Sequence, residues 1–291
     1  MEIPPQPWPV AKSERIEPLV RRILAANPSH FTYTGTQSYL IGAEDQIAVI
    51  DPGPDEAEHI DAIIAALGDA TLTAIVCTHT HRDHSPAARA LKERTGAPII
   101  GCAALTIDYD GPRSDAAFDA DYRPDRVLAD GEAITGPDWT LRALATPGHT
   151  SNHLCLALEE SGALFTGDHV MGWSTTVVSP PDGDMAHYMA ALMILHDRDD
   201  RIYYPAHGPA ITKPRQLVRG MIGHRRQRER QILRQLEQGA QTIEAMVPQM
   251  YKGTDERLYP AAGRSVLAHL IDLERRDQVT RSGEEWQLAA G

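Results

Sequence analysis

The stretch CTHTHRDHSPAA, residues 77–88, places His79, His81, Asp83 and His84 within six positions. Imidazole nitrogen and carboxylate oxygen are donors that hold zinc. The donors follow the apolar run LTAIVCT, which reads as a buried strand ending just before His79, and the C-terminal ends of strands are where α/β sheets bind ligands. His79 and His81, two apart in an extended turn, can point the same way and share one ion. Asp83 and His84, at the start of the next helix, can face a second. A polar surface loop is the bland alternative. Three later motifs weigh against it: TPGHT carries His149, LFTGDH carries Asp168 and YPAHGP carries His207, each after a strand-like run. Each is weak alone; together they bring donor-type side chains to the mouths of several strands.

Periodicity predicts the elements that must position these donors. SYLIG (38–42) and QIAVID (46–51) form a hairpin joined by AED. PDEAEHIDAIIAALG has apolar positions at helical spacing, and SPAARALKERTG is a helix opened by Ser-Pro and closed by Gly96. APIIG, TLRALAT, HLCLALE and ALFTG are short strands, DMAHYMAALMILHD is a helix, and RIYYPAHG is a last strand and loop. Strands alternating with helices and mixed with hairpins predict an α/β domain with more than one sheet.

The pattern changes after residue 212. A long polar helix over 214–238 precedes helical stretches near 242–251 and 254–277, then two short strands around Ser-Gly in DQVTRSGEEWQLAAG. Three helices and a hairpin are the order of a winged-helix unit. Residues 211–291 carry 14 Lys/Arg and 10 Asp/Glu, a balance of +4, which leaves 14 minus 30, or -16, for the remainder. The asymmetry supports a catalytic domain over 1–212 and a winged-helix-like domain over 213–291.

The net charge of -12 argues against indiscriminate adhesion to nucleic acid or anionic membrane, while leaving room for a local basic groove. The three cysteines are far apart with no CxxC, so neither a disulfide framework nor a zinc ribbon is expected, which suits a reducing compartment. MEIPPQPWPV lacks the basic and apolar regions of a signal peptide, and no apolar run reaches transmembrane length. The expectation is a soluble, cytoplasmic protein with no membrane partner.

With His-x-His-x-Asp-His, Gly-His, Gly-Asp and a final His all present, residues 30–210 resemble the metallo-β-lactamase superfamily. The resemblance implies an αββα sandwich with two metals at one edge, followed here by the winged-helix unit. It implies two Zn2+ per chain, or other divalent metals, with His79, His81 and His149 on the first ion and Asp83, His84 and His207 on the second. Asp168 would bridge them, and Asp51 in AVIDPGP would brace the ligand loop. A hydroxide held between the ions would be the nucleophile, with Asp83 and Asp168 as the catalytic carboxylates.

The superfamily hydrolyses lactams, thioesters and phosphodiesters, so fold alone leaves the substrate open. Lactamases with this His-rich set commonly carry cysteine where Asp168 stands. The polyadenylation-type nucleases insert a large domain between the bridging aspartate and the last histidine, a gap of only 207 minus 168, or 39, here. The diiron redox branch has glutamate in place of His81. THTHRDHSP, YPAHGP, GHRRQRERQIL and LIDLERRDQV most resemble the β-lactamase-like endoribonuclease group with its C-terminal winged helix. That implies hydrolysis of single-stranded RNA. The alternative is a thioester or small-ester hydrolase of the glyoxalase II-like type. A homodimer is compatible with either. A regulator with a vestigial catalytic domain is a third reading, against which the intact donor set speaks.

Residues 171–189, MGWSTTVVSPPDGDMAHYM, have the composition of a loop rimming a site. Trp173, Ser174, Thr175, Thr176 and Tyr188 are candidate substrate contacts; the alternative makes Trp173 a packing residue and Thr175 and Thr176 part of a strand. His169 and His187 are candidate leaving-group acids, although His169, like His153, also reads as a satisfied buried histidine. Arg225, Arg226, Arg228, Arg230 and Arg234 could follow an RNA strand, or form a face that is solvated and paired with Glu229 and Glu237, or packed.

Overall fold

A computed structural model describes residues 8–43, 45–105, 118–253 and 255–290. The chain divides into two compact units. One comprises residues 1–146, 152–175 and 199–214, the other residues 147–151, 176–198 and 215–291.

The first unit begins with strands β1 (Glu14–Glu17), β2 (Val20–Leu24), β3 (Gln37–Ile41) and β4 (Gln46–Ile50), each antiparallel to the next. Helix α1 (Ala57–Leu67) crosses to β5 (Thr71–Cys77), and α2 (Ala87–Thr95) crosses to β6 (Ile99–Gly101). With β7 (Arg126–Val127) these complete a seven-stranded sheet, parallel from β4 onwards. Gly96 ends α2 in the left-handed conformation (φ 76°), its N–H donating to Lys92 O at 2.8 Å. The hairpin predicted over 38–51 is β3–β4, with Leu40 opposite Val49. Apolar patterning does not reveal β1 and β2, because charges interrupt it. Their register sets Glu14 opposite Arg22, and the two side chains pair at 2.6 Å.

The second sheet of this unit has the order β12-β11-β10-β9-β8, made of β8 (Ala133–Thr135), β9 (Thr140–Ala145), β10 (Leu154–Leu158), β11 (Ala163–Gly167) and β12 (Ile202–Pro205). Only β11 and β12 run parallel, and their connection contains α3 (Met185–Asp197). Leu40, Val49 and Ile75 of the first sheet and Leu141, Leu156 and Phe165 of the second join one apolar core. The Tyr39 and Phe165 rings lie 5.0 Å apart within it. Each such side chain contributes about 1.5–3 kcal/mol by leaving water. The sandwich thereby fixes the ends of β4, β5, β11 and β12, from which the donor loops leave.

The second unit contains α3, α4 (Pro214–Leu236), β13 (Gln241–Thr242), α5 (Ile243–Met250), α6 (Tyr259–Arg275) and the hairpin β14 (Val279–Ser282) and β15 (Glu285–Leu288). A small sheet of order β13-β15-β14 closes over Ile232, Leu236, Met246, Val266, Leu270, Leu273 and Trp286. Thr242 caps α5 by accepting from Ala245 N–H at 3.3 Å. Helix, helix, helix and hairpin follow in the predicted order. On α4, Arg215, Arg219, Arg226, Arg230 and Arg234 are exposed. At 3.6 residues per turn they fall within an arc of about 100°.

Among the described residues no helix is long and apolar enough to cross a membrane. Cys77, Cys102 and Cys155 are buried thiols that form no disulfide. Burial pushes the Cys77 thiol well up and that of Cys102 up to about 12.

His269 on α6 is 2% exposed. Burial, and then the charges of Arg225, His224, Arg276 and Arg228, push its pKa down to about 3. A depressed folded-state pKa means the unfolded chain binds the extra proton. Stability from this group is therefore full above the ordinary histidine pKa of about 6.5 and is lost as pH falls from there towards 3. Urea unfolding at pH 7 and pH 5 should show the wild type losing about 2 kcal/mol more over that interval than His269→Leu.

Candidate metal centre

The centre is built where β4 and β5 end side by side. Asp51 follows β4. It is 2% exposed and takes the left-handed conformation at φ 47°, a costly one for a residue with a side chain. Its N–H donates to Val76 O at 2.8 Å, which locks it beside β5. Its Oδ1 accepts from Thr78 N–H at 2.8 Å, and its Oδ2 accepts from the Thr78 hydroxyl at 2.8 Å and from His84 Nδ1 at 3.0 Å.

These bonds set the imidazole tautomers. Because the Thr78 hydroxyl donates to Asp51, its oxygen accepts from His79 Nδ1 at 3.0 Å. His207 Nδ1 faces the Gly35 carbonyl at 3.3 Å, and only an N–H can bond there. His79, His84 and His207 thus use Nδ1 as the outer hydrogen-bond donor and turn Nε2 inward. His149, in the 147–151 segment of the second unit, has its Nδ1 2.7 Å from Val177 O and takes the same tautomer.

The inward atoms converge in two clusters. His79, His81 and Asp168 each offer a donor atom, all within 4.8 Å of one another, as do Asp83, His84, Asp168 and His207. His79 Nε2 lies 3.1 Å from His81 Nδ1. His207 Nε2 lies 3.1 Å from Asp83 Oδ2 and 3.3 Å from Asp168 Oδ1. His84 Nε2 lies 3.4 Å and 3.6 Å from the same two oxygens. Donors at zinc–ligand distance around a tetrahedral ion are roughly 3.3–3.4 Å apart. His84 Nε2 is buried without a hydrogen bond and faces two carboxylates, an arrangement that a cation between them would satisfy. The residues therefore fit divalent metal, with Asp168 common to both clusters.

Electrostatics concur. Burial opposes charge on Asp83, but His84 and His207 hold its carboxyl well below the usual range. Burial likewise opposes a proton on His84, yet Asp83, Asp168 and Asp51 hold its pKa well above the ordinary value. His207 is raised in the same way by Asp168 and Asp83. A site that draws protons this strongly has positive charge to replace when metal enters.

Asp168 is held from behind. Its N–H donates to His153 Nε2 at 3.2 Å, so His153 keeps its proton on Nδ1, which donates to the Thr146 hydroxyl at 2.9 Å. Gly167 sits at φ 48°, and a Cβ there would come within 2.7 Å of both His153 Nε2 and Thr78 Oγ1. Apolar patterning and motif spacing do not single out Thr78 and Thr146. Their only sequence signal is adjacency, each standing next to a donor motif.

The remaining candidates divide by burial. Tyr188 is fully buried with its ring under Arg225 at 5.1 Å, so it packs within the second unit instead of touching substrate. Trp173 stacks on Tyr33 at 5.0 Å, as its packing alternative requires. Thr175 is exposed and Thr176 buried, and neither lies in a strand. His169 is fully buried, its ring 5.7 Å from that of His153, as its buried-histidine alternative has it. The His187 side chain is 64% exposed, near the Asp184 carboxylate at 3.8 Å. Arg225 is buried, Arg228 donates to Met250 O at 3.0 Å, and Glu229 pairs with Arg276 at 2.7 Å.

Residues 32–207 match the Metallo-beta-lactamase superfamily, and residues 242–286 match the Beta-lactamase associated winged helix domain. The chain is 33% identical to the Beta-lactamase-like protein 2 homolog of Drosophila melanogaster, over 93% of its own length and 94% of that protein. It is 34% identical to the Atrochrysone carboxyl ACP thioesterase of Aspergillus chevalieri, over 80% of its length and 70% of the relative. Among solved structures, a metallo-beta-lactamase family protein from Thermus thermophilus superposes with a TM-score of 0.77, at 22% identity, over 94% of this chain and all (100%) of that one, a likeness of fold alone. By its sequence match, its two stacked sheets and its clustered donors, the chain belongs to the metallo-beta-lactamase superfamily, as a metal-dependent hydrolase with a β-lactamase-associated winged helix domain.

Proposed function

We propose that this hydrolase holds two zinc ions and cleaves phosphodiester bonds of single-stranded RNA. His79, His81 and His149 would hold one ion, Asp83, His84 and His207 the other, and Asp168 would serve both. When bound, such an ion pair supplies Lewis acidity and a nucleophile at neutral pH. The chain's own residues supply the geometry. Asp83 Oδ2 and Asp168 Oδ1 both lie within 3.1–3.6 Å of the inward nitrogens of His84 and His207. The carboxylates can thereby hold a reacting water's proton and fix the direction of its attack. Asp51, through Thr78 and His84, holds the imidazoles against rotation as charge develops.

The observation that carries the substrate class is the arginine stripe of α4. Arg215, Arg219, Arg226, Arg230 and Arg234 are exposed along one side of a 23-residue helix, and none makes an ion pair among the described residues. Unpaired cations in a row favour a polyanion, whose condensed counterions they release. Three buried cysteines without a disulfide suit a reducing compartment, in keeping with a cytoplasmic location. A thioester-hydrolase reading has its own support, the 34% identity to a relative named as an acyl carrier protein thioesterase.

One panel separates the two. Zinc-loaded protein is given labelled single-stranded RNA, an acyl thioester and a lactam. RNA should be cut, and Asp168→Ala should lower the rate by about a thousandfold or more, because both clusters lose a common donor. Intact RNA beside a hydrolysed thioester would transfer the assignment to the second reading. For Asp51→Ala, which strips the acceptor from Thr78 and His84, zinc affinity measured by competition with a chelator should weaken by roughly 10–100-fold.

A further inference from the structure

His149 stands on a segment that the second unit holds. The Gly148 carbonyl accepts from Asp184 N–H at 2.9 Å, and Ser151 N–H donates to Asp182 Oδ1 at 3.1 Å. Gly148, at φ 138°, passes so close to α3 that a Cβ would lie 2.3 Å from Tyr188 Cα. Asp184 is itself tied to Arg275 of α6. Within this frame the imidazole is anchored by the Val177 carbonyl at 2.7 Å.

The segment carrying that carbonyl is irregular, so its position depends on what grips it. Arg225 grips it. This side chain rises from the middle of α4, is 4% exposed, and donates from one terminal nitrogen to Thr176 O and from the other to Ser265 Oγ at 3.3 Å. Its guanidinium lies 5.1 Å from the centre of the Tyr188 ring. Among the described residues it has no carboxylate partner. A buried cation without a counter-charge is held in place by its hydrogen bonds and ring contact, and it binds a carbonyl more strongly than a neutral donor does. Thr176 O and Val177 O are consecutive carbonyls, the first fixed by Arg225 and the second fixing His149.

We propose that Arg225 is a positioning residue for the metal centre. It pins the 176–177 backbone of the second unit so that Val177 O holds the His149 imidazole in one orientation. The C-terminal helix then supports catalysis through a ligand's orientation, a role separate from RNA binding. The inference rests on the assignment of His149 as a metal ligand, and it holds for either substrate class.

The test follows zinc leaving the full-length protein into a chromophoric chelator. Wild type, His149→Ala, Arg225→Gln, Arg225→Lys and the exposed control Arg226→Gln are compared after loading with two equivalents. His149→Ala should release one ion much faster and the other at the wild-type rate. Arg225→Gln should accelerate the same ion by roughly tenfold or more, the effect expected of an outer partner of a ligand. The second ion should change by less than about twofold, since its donors do not depend on Val177. Arg225→Lys, keeping the charge and one donor for Thr176 O, should fall between, and Arg226→Gln should match wild type. Equal acceleration of both ions by Arg225→Gln marks a merely structural role and overturns the proposal, as does unchanged release. Wild-type release from His149→Ala overturns the ligand assignment and the proposal with it. Fast release from His149→Ala beside an unchanged Arg225→Gln overturns the role of Arg225 alone. Should Arg225→Gln fail to fold, Arg225→Lys is read by the same one-ion criterion.

Discussion

One buried carboxylate, that of Asp51, sets the geometry on which the metal centre depends. Its backbone is tied to β5, and its two oxygens accept three hydrogen bonds from the loop that carries His79, His81, Asp83 and His84. An aspartate in left-handed conformation is an expensive way to end a strand. The conformation persists because the parallel pairing of β4 and β5 leaves the next carbonyl and amide in reach, and because the core beneath does not yield. Side-chain tautomers, donor spacing and the direction of each lone pair follow from that arrangement. The sandwich holds the two strand ends at fixed separation, and Asp51 turns that separation into ligand orientation.

Charge organises the rest. Carboxylates and imidazoles at the centre compensate one another, so each is shifted by its neighbours and the set as a whole favours a cation. The C-terminal unit uses charge differently. Its outer arginines are exposed along α4 with no ion pair among the described residues, while Arg225 and Arg228 of the same helix are turned inward onto carbonyl oxygens and aromatic rings. One helix therefore carries two populations of the same residue type, separated by helical phase.

That separation shows what is legible in the sequence and what is not. The strands and helices that bear His79 to His84, Asp168 and His207 follow from short apolar runs and turn residues, and their order makes the donor set visible along the chain itself. The α4 helix and the terminal hairpin are equally plain, since amphipathic spacing and a Ser-Gly turn are local signals. β1 and β2 escape notice because charged residues interrupt their apolar pattern. Tyr188 and Arg225 mislead for a related reason. An aromatic in a polar loop region and an arginine in a basic helix give no sign of which way they face, and only the packing of α3 against α6 decides it. Thr78, His153 and Thr146 act through geometry between segments, which no spacing along the chain records.

The state of the three cysteines has a consequence for metal choice. Cys77 ends the strand that leads into the ligand loop, yet it is buried and its thiol is held neutral, as is that of Cys102. Among the described residues the clustered donors are imidazole nitrogen and carboxylate oxygen, with no cysteine sulfur among them. Such a set gives soft monovalent copper no advantage, and it separates zinc, iron and manganese weakly. On such a donor set, the elemental content of a preparation would record the metals supplied during growth as much as the protein.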